Sequence, residues 1–245
     1  MIRIPLEKAC NVRDLGGYVT KDGKMTAFGR FLRSDGITEL TEADKCKLKE
    51  YGVKTVIDLR SREELDEKPN SLGQDEDVYY AHFGILDHIA QEMYPPHVLE
   101  RDFLGEMYII IMEHCQNPLA SVFRLMASAE EGCILFHCTA GKDRTGIVAA
   151  LLLDLAGVDY YDIVANYEVT YTYIRKNLEN IVRVAPNVPG SIGLSKPQSI
   201  ELFLGHLHGK YRNAEGYLNH IGISREEVDY IRNRLTAVGH HENAD

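Results

Sequence analysis

Residues 132 to 157 read "GCILFHCTAGKDRTGIVAALLLDLAG": an apolar strand pattern, a seven-residue turn, and a helical pattern without a polar face that ends at Gly157. No other feature restricts the fold as strongly. A strand and a helix that are both apolar all round must be covered on every side, which is the situation of a central strand in a parallel α/β sheet. The turn between them lies beyond the carboxyl end of a strand, where open α/β sheets bind their ligands.

The flanking sequence supplies partners for such a strand. "RFLRS" and "VKTVIDL" read as strands, the second bounded by the polar run "RSREELDEKP", and "DVYYAHF" alternates as a further strand. Between the first two, "TEADKCKLKEYG" reads as a helix with Thr41 as N-cap and Gly52 at its end. "NVRDLGGYVTKDGKM" is an irregular entry, and the stretch from Gly84 to Pro96 is a loop. Leu99 to His114 reads as a helix, as does "NPLASVFRLMASA", with Asn117 as cap and Pro118 at the first helical position. After Gly157 the chain turns helical throughout: "DYYDIVANYEVTYTYIRKNLENIV", "KPQSIELFLGHLHGKY" and "SREEVDYIRNRL", the last opened by a Ser224–Glu227 capping box. The expected fold is α/β, with a mainly parallel central sheet flanked by helices and additional helices forming a lid. "VAPNVPGSIGLSKP" would be the lid hinge or a plain connector.

At 245 residues the chain fits one large domain, taken as 1–245. A net charge of −10 argues against a nucleic-acid partner, so basic residues matter where they cluster. No stretch is long and apolar enough for a membrane span, and "MIRIPLEKAC" lacks a signal-peptide core. A cytoplasmic location is expected, and export without a recognisable signal stays open. The odd count of five cysteines, with no C-x-x-C pair, fits reduced thiols. "HLH" at 206–208 and the terminal "HH" lack ligand partners at metal spacing, so neither a metal nor a cofactor is expected.

Three chemistries compete for the turn. A nucleotide-binding P-loop fails, because Phe136 stands where that motif needs its first glycine. A purely structural cysteine leaves Lys142, Asp143 and Arg144 without a purpose. The third is a nucleophilic thiolate in a phosphate cradle. A helix starting near Arg144 presents unpaired N–H groups and a positive dipole end to the turn, a setting that favours an anion. Gly141 allows close backbone approach. The N–H groups of Thr139, Ala140, Gly141 and Lys142 with the Arg144 fork would hold phosphate oxygens, and the same field favours the Cys138 thiolate. Cys138 could then attack phosphorus to give a phosphocysteine, with Thr145 donating a hydrogen bond to the leaving thiolate.

"HCTAGKDRTG" between strand and helix resembles the signature loop of cysteine-dependent protein tyrosine phosphatases. More narrowly, it resembles a bacterial "HCxxGKDR" group acting on phosphotyrosine, phosphoserine or threonine, and phosphoinositides. "NVRDLGGY", "FLRSDGITELTEAD", "TVIDLRSREE" and "YLNHIGISREEVDYIRNRL" are similar to that family's recurring segments, in its order, so the resemblance spans most of the chain. It implies that Cys138 is the nucleophile, that Arg144 binds phosphate and stabilises the transition state, and that Gly141 and its neighbours complete the cradle. The chain has no tryptophan, so the usual loop with an aspartate beside tryptophan is not recognisable. The resemblance instead points to Asp143 as general acid, with Asp87 in "HFGILDH" as the fallback because Arg144 favours an ionised neighbour.

Lys142 is either solvated or reaches an additional phosphate, as on an inositol ring. Arg13 with Asp14, and Asp58 with Arg60, are expected as structural pairs, and the tyrosines after Asp159 mostly as helix packing. The partners implied are a phosphorylated protein or peptide, or a phosphoinositide. The alternatives are a phosphoinositide or inositol polyphosphate phosphatase with little protein activity, a catalytically silent phosphate-binding module, and a rhodanese-like sulfur carrier or thiol reductase.

Overall fold

The apolar strand of the opening stretch becomes β5 (Cys133–His137), buried at every position. It sits at the centre of a five-stranded sheet of order β1-β2-β5-β3-β4, formed with β1 (Arg13–Asp14), β2 (Phe31–Ser34), β3 (Val53–Asp58) and β4 (Tyr79–His82). Every neighbouring pair is parallel except β1 with β2. The computed structural model describes residues 2–87, 104–184 and 193–236. The end of the Gly84–Pro96 loop, the start of the helix expected from Leu99, residues 185–192 of the lid-hinge segment and the terminal histidines lie outside them.

Alternation along β5 explains why the sheet is covered twice. Cys133 and Leu135 join Leu32, Val53 and Val56 in a core on one face, closed by α1 (Glu42–Glu50) and the N-terminal segment. Ile134 and Phe136 point the other way with Phe31 and Ile57, into a larger core. That core is supplied by α3 (Gly105–His114), α4 (Gln116–Ser128), α5 (Asp143–Leu155), α6 (Tyr160–Val184), α7 (Pro197–Tyr211), α8 (Ala214–His220) and α9 (Arg225–Thr236). Helix α5 buries all but two of its thirteen residues, Asp143 and Asp154, as its lack of a polar face requires. Among the described residues, no helix is long and apolar enough to cross a membrane.

Local signals account for several helix ends. Thr41 and Asp44 form a capping box on α1, which stops before Gly52 at φ +96°, and Ser224 and Glu227 form another on α9. Two expectations need correction. Helix α4 begins one residue before Asn117, with Cys115 as an N-cap that makes no side-chain bond, so Pro118 falls at the third helical position. The cause is that α3 runs almost directly into α4: buried Cys115 closes one helix and opens the other. The polar run after β3 is also more than a boundary, because it contains α2 (Arg62–Glu67), capped by Ser61 and Glu64.

Register decides where chemistry can gather. Ser34, His137 and Asp58 are partners across β2, β5 and β3, so these three strands end level. The residues that follow them form one rim.

Candidate active site

Between β5 and α5 lie only Cys138 to Lys142, two residues fewer than the expected turn, because α5 already starts at Asp143. Helix α5 opens without a side-chain cap, leaving its first N–H groups turned toward the loop. Cys138 is only 2 % exposed.

The loop is held from outside by its carbonyls. Cys138 O accepts from His137 Nδ1 (3.1 Å), and Thr139 O from the Gly36 N–H (2.9 Å). Ala140 O accepts from Asn11 Nδ2 (3.3 Å), and Gly141 O from Asn11 Nδ2 (3.1 Å) and Arg33 Nη2 (2.7 Å). A trans peptide points its N–H opposite to its C=O. Pinning these four carbonyls outward therefore turns the N–H groups of Thr139, Ala140, Gly141 and Lys142 to the inner side of the loop. Gly141 adopts φ +64°, and a Cβ there would meet Ser34 O at 2.5 Å, so glycine is required by conformation and by space.

Each clamp is itself fixed. Asp35 accepts from the Cys10 N–H, Cys10 Sγ and the Asn11 N–H, which places the Asn11 amide under the loop. Burial, with Asp35 beside it, pushes the Cys10 thiol up to about 12, so that thiol stays protonated. On the β3 side, His137 Nε2 faces Asn70 Nδ2 (2.8 Å) and Asp58 Oδ2 (3.4 Å). Asp58 also accepts from Arg60 at Nε and Nη2, from Asn70 and from Tyr80, which makes the expected Asp58–Arg60 pair part of a larger network. Burial opposes the Asp58 charge, yet His137 and Arg60 more than offset it and hold its carboxyl well below the usual range.

Arg13 and Asp14 do not form the expected pair. Neighbours on a strand point to opposite faces. Arg13 donates to Asn11, the Asn166 carbonyl and Thr170, whereas Asp14 accepts from the Gly16 and Gly29 N–H groups and the Tyr51 hydroxyl.

Arg144 forks onto Glu64 of α2, Nη1 to Oε2 at 2.5 Å and Nη2 to Oε1 at 2.9 Å, while the Thr139 hydroxyl donates to the same carboxylate. Burial works against both charges, but the pairing prevails: Arg144 is held above its usual range and Glu64 is lowered to about 2. A guanidinium has five N–H donors, so two bonds to Glu64 orient Arg144 without exhausting it. Thr145 Oγ1 is buried without a hydrogen-bond partner. Lys142 is not solvated: it is 1 % exposed, with Nζ 3.4 Å from both Leu194 O and Asp143 Oδ1.

Asp143 receives the Tyr108 hydroxyl on Oδ1 at 2.5 Å, and Tyr167 in turn lies 2.6 Å from the Tyr108 oxygen. Burial, then the Asp143 charge, raises Tyr108 well above the phenol range, so it remains a donor. Both Tyr108 and Lys142 approach Oδ1 of Asp143. Asp87 is engaged elsewhere, its Oδ1 accepting from the Arg62 N–H at the start of α2.

Cys138, Thr139, Ala140, Gly141 and Lys142 lie in the loop, and Asp143, Arg144 and Thr145 in the first turn of the helix that follows. Sequence reasoning missed Asn11, Arg33, Glu64 and Tyr108. For Glu64 a signal existed, the S-x-x-E capping box in "SREE".

The chain is similar to known proteins over most of its length. The model of a family described as the tyrosine phosphatase family matches residues 4–237. A tyrosine-protein phosphatase of Nostoc commune is 34% identical over 220 residues, covering 85% of this chain and 75% of that one. The triple specificity protein phosphatase PtpB of Mycobacterium tuberculosis is 26% identical over 276 residues, covering 94% of this chain and 98% of the relative.

Proposed function

The chain belongs to the tyrosine phosphatase family, and on that ground we propose a division of labour among the residues of its loop. The reaction itself follows from the family: phosphotyrosine is hydrolysed through a cysteine. Cys138 Sγ attacks phosphorus as the bond to the phenol oxygen breaks, giving phosphocysteine. Asp143 protonates the departing phenoxide, then takes a proton from the water that releases phosphate. The inward N–H groups of Thr139 to Lys142 and the remaining donors of Arg144 hold the equatorial oxygens as negative charge spreads onto them. Thr145 donates its buried hydroxyl to the thiolate as it leaves. The observation that carries this reading is the outward pinning of four successive carbonyls around Cys138.

The substrate class we favour is a phosphorylated protein or peptide, acted on by one catalytic domain in the cytosol. Phosphoserine, phosphothreonine and phosphoinositides are the second reading, motivated by the triple specificity named for the M. tuberculosis relative. The buried, engaged Lys142 ammonium favours the first, since a ring with additional phosphates calls for a cation at the surface.

Cys138→Ser should abolish phosphate release from a phosphotyrosine peptide, by about 10³-fold or more in kcat. Undiminished release would reject the nucleophile. Asp143→Asn should slow a substrate with a poor leaving group much more than one with a good leaving group. If Asp87→Asn shows that pattern instead, the acid is Asp87.

A further inference from the structure

Arg33 lies beneath the loop, one residue before the end of β2, and is 1 % exposed. A cation so deep is costly unless an anion shares the space. Its bonded partners are neutral: Nη1 donates to Asn166 Oδ1 at 2.6 Å, Nη2 to Gly141 O at 2.7 Å, and Nε is buried without an acceptor. Among the described residues, no carboxylate bonds to it.

The ionisable groups around it come from every element packed there. They are Arg13 of β1, Tyr18 beyond it, Asp35 just past β2, Tyr108 of α3, Tyr167 of α6, and Cys138 and Asp143 of the loop and the start of α5. Burial raises the three phenols, so they stay neutral, and Arg13 is basic. The two carboxylates are already engaged, Asp143 by Tyr108 and Lys142 and Asp35 by Cys10 and Asn11, which leaves Cys138 as the group that can supply the missing negative charge. Burial lowers Arg33 to about 10, against the pull of Cys138 and the phenols, so it is still a cation at neutral pH.

We propose that Arg33 is the buried counter-ion of the Cys138 thiolate and, through the Gly141 carbonyl, a positioning residue that keeps the loop's N–H groups aimed at phosphate. This rests on Cys138 being the nucleophile. Arg144 meets the substrate from one side and Arg33 charges the site from the other. Asn166 is suited to its place, because an amide orients the guanidinium without neutralising it.

The test compares R33M, R33K and N166D by three measurements: circular dichroism, kcat and KM on a phosphotyrosine peptide, and the pH profile of iodoacetamide alkylation read at Cys138 by mass spectrometry. R33M should move the alkylation profile upward by about one pH unit, tenfold in thiolate on its rising limb. Its kcat/KM should fall by about 10- to 100-fold. R33K should keep the profile near wild type while losing activity, because an ammonium cannot reproduce the fork. N166D gives Arg33 a competing carboxylate and should shift the profile in the same direction as R33M, and it decides the matter should R33M not fold. An unmoved profile in a folded R33M, or in N166D if R33M does not fold, overturns the proposal. An active Cys138→Ser enzyme would instead overturn the nucleophile, so the two failures are distinguishable.

Discussion

The two strands flanking β5 treat buried charge in opposite ways. At the end of β3, Asp58 is surrounded by Arg60, His137, Asn70 and Tyr80, and the charges there are matched within the protein. At the end of β2, Arg33 is just as buried but meets an amide oxygen and a carbonyl. A matched cluster fixes geometry and is closed to further ions; an unmatched cation lends its field to whatever anion arrives. The β3 side is therefore a closed, charge-matched support, whereas the β2 side both pins the loop carbonyls and forms its electrostatic floor.

Asp58→Asn should produce the largest break in this contrast. It leaves Arg60 buried without its carboxylate and should cost about 3–5 kcal/mol, measured by urea denaturation. The pH dependence has the sign of a carboxylate whose folded value is depressed. The Asp58 contribution is complete above its ordinary value of 3.8 and is lost progressively as pH falls from there toward the lower folded value. Wild type should accordingly lose stability more steeply than Asp58→Asn on acidification below that range.

Glu64→Gln comes next, since it loosens the residue that orients Arg144 from outside the loop. A fall in kcat/KM of about tenfold is expected in steady-state assays. Glu64 is lowered from 4.5 to about 2, so its stabilisation is present above pH 4.5 and is lost as pH drops toward 2. With the side chain 32% exposed, that amounts to about 1–2 kcal/mol, and the variant's stability should vary less with pH across this interval. Unchanged activity would place Glu64 with the β3-side support alone.

Tyr108→Phe is the mildest change. It removes one hydrogen bond from Asp143 Oδ1, and should lower kcat for poor leaving groups by about tenfold or less, with KM little changed. An equal effect on good leaving groups would separate Tyr108 from proton transfer.

The reacting loop was legible in the sequence, and its setting much less so. Apolar strand, short turn and apolar helix form a local pattern, and the residues from Cys138 to Thr145 are contiguous, so no tertiary knowledge was needed to group them. Arg33 and Asn11 reach the loop across 108 and 130 residues, and each carries a residue type common on surfaces. The level ends of β2 and β5 bring Arg33 to the loop, and Asp35, just past β2, brings Asn11 there. Helix α2 escaped for a different reason: five charged residues around the single Leu65 show no apolar periodicity, and what holds them helical is a capping box at Ser61 and Glu64. The misplaced cap at Asn117 has a similar origin, because its local signal yielded to the buried junction at Cys115.

The Asn11 amide, tied to two loop carbonyls, has a consequence for how the enzyme matures. During synthesis the N-terminal tail emerges long before the segment it must brace, and that segment remains without its brace until the remote contacts close. Catalytic competence should thus arrive late in folding. A chain shortened at its start by a dozen residues should retain most of its hydrophobic interior and yet fail to turn over substrate.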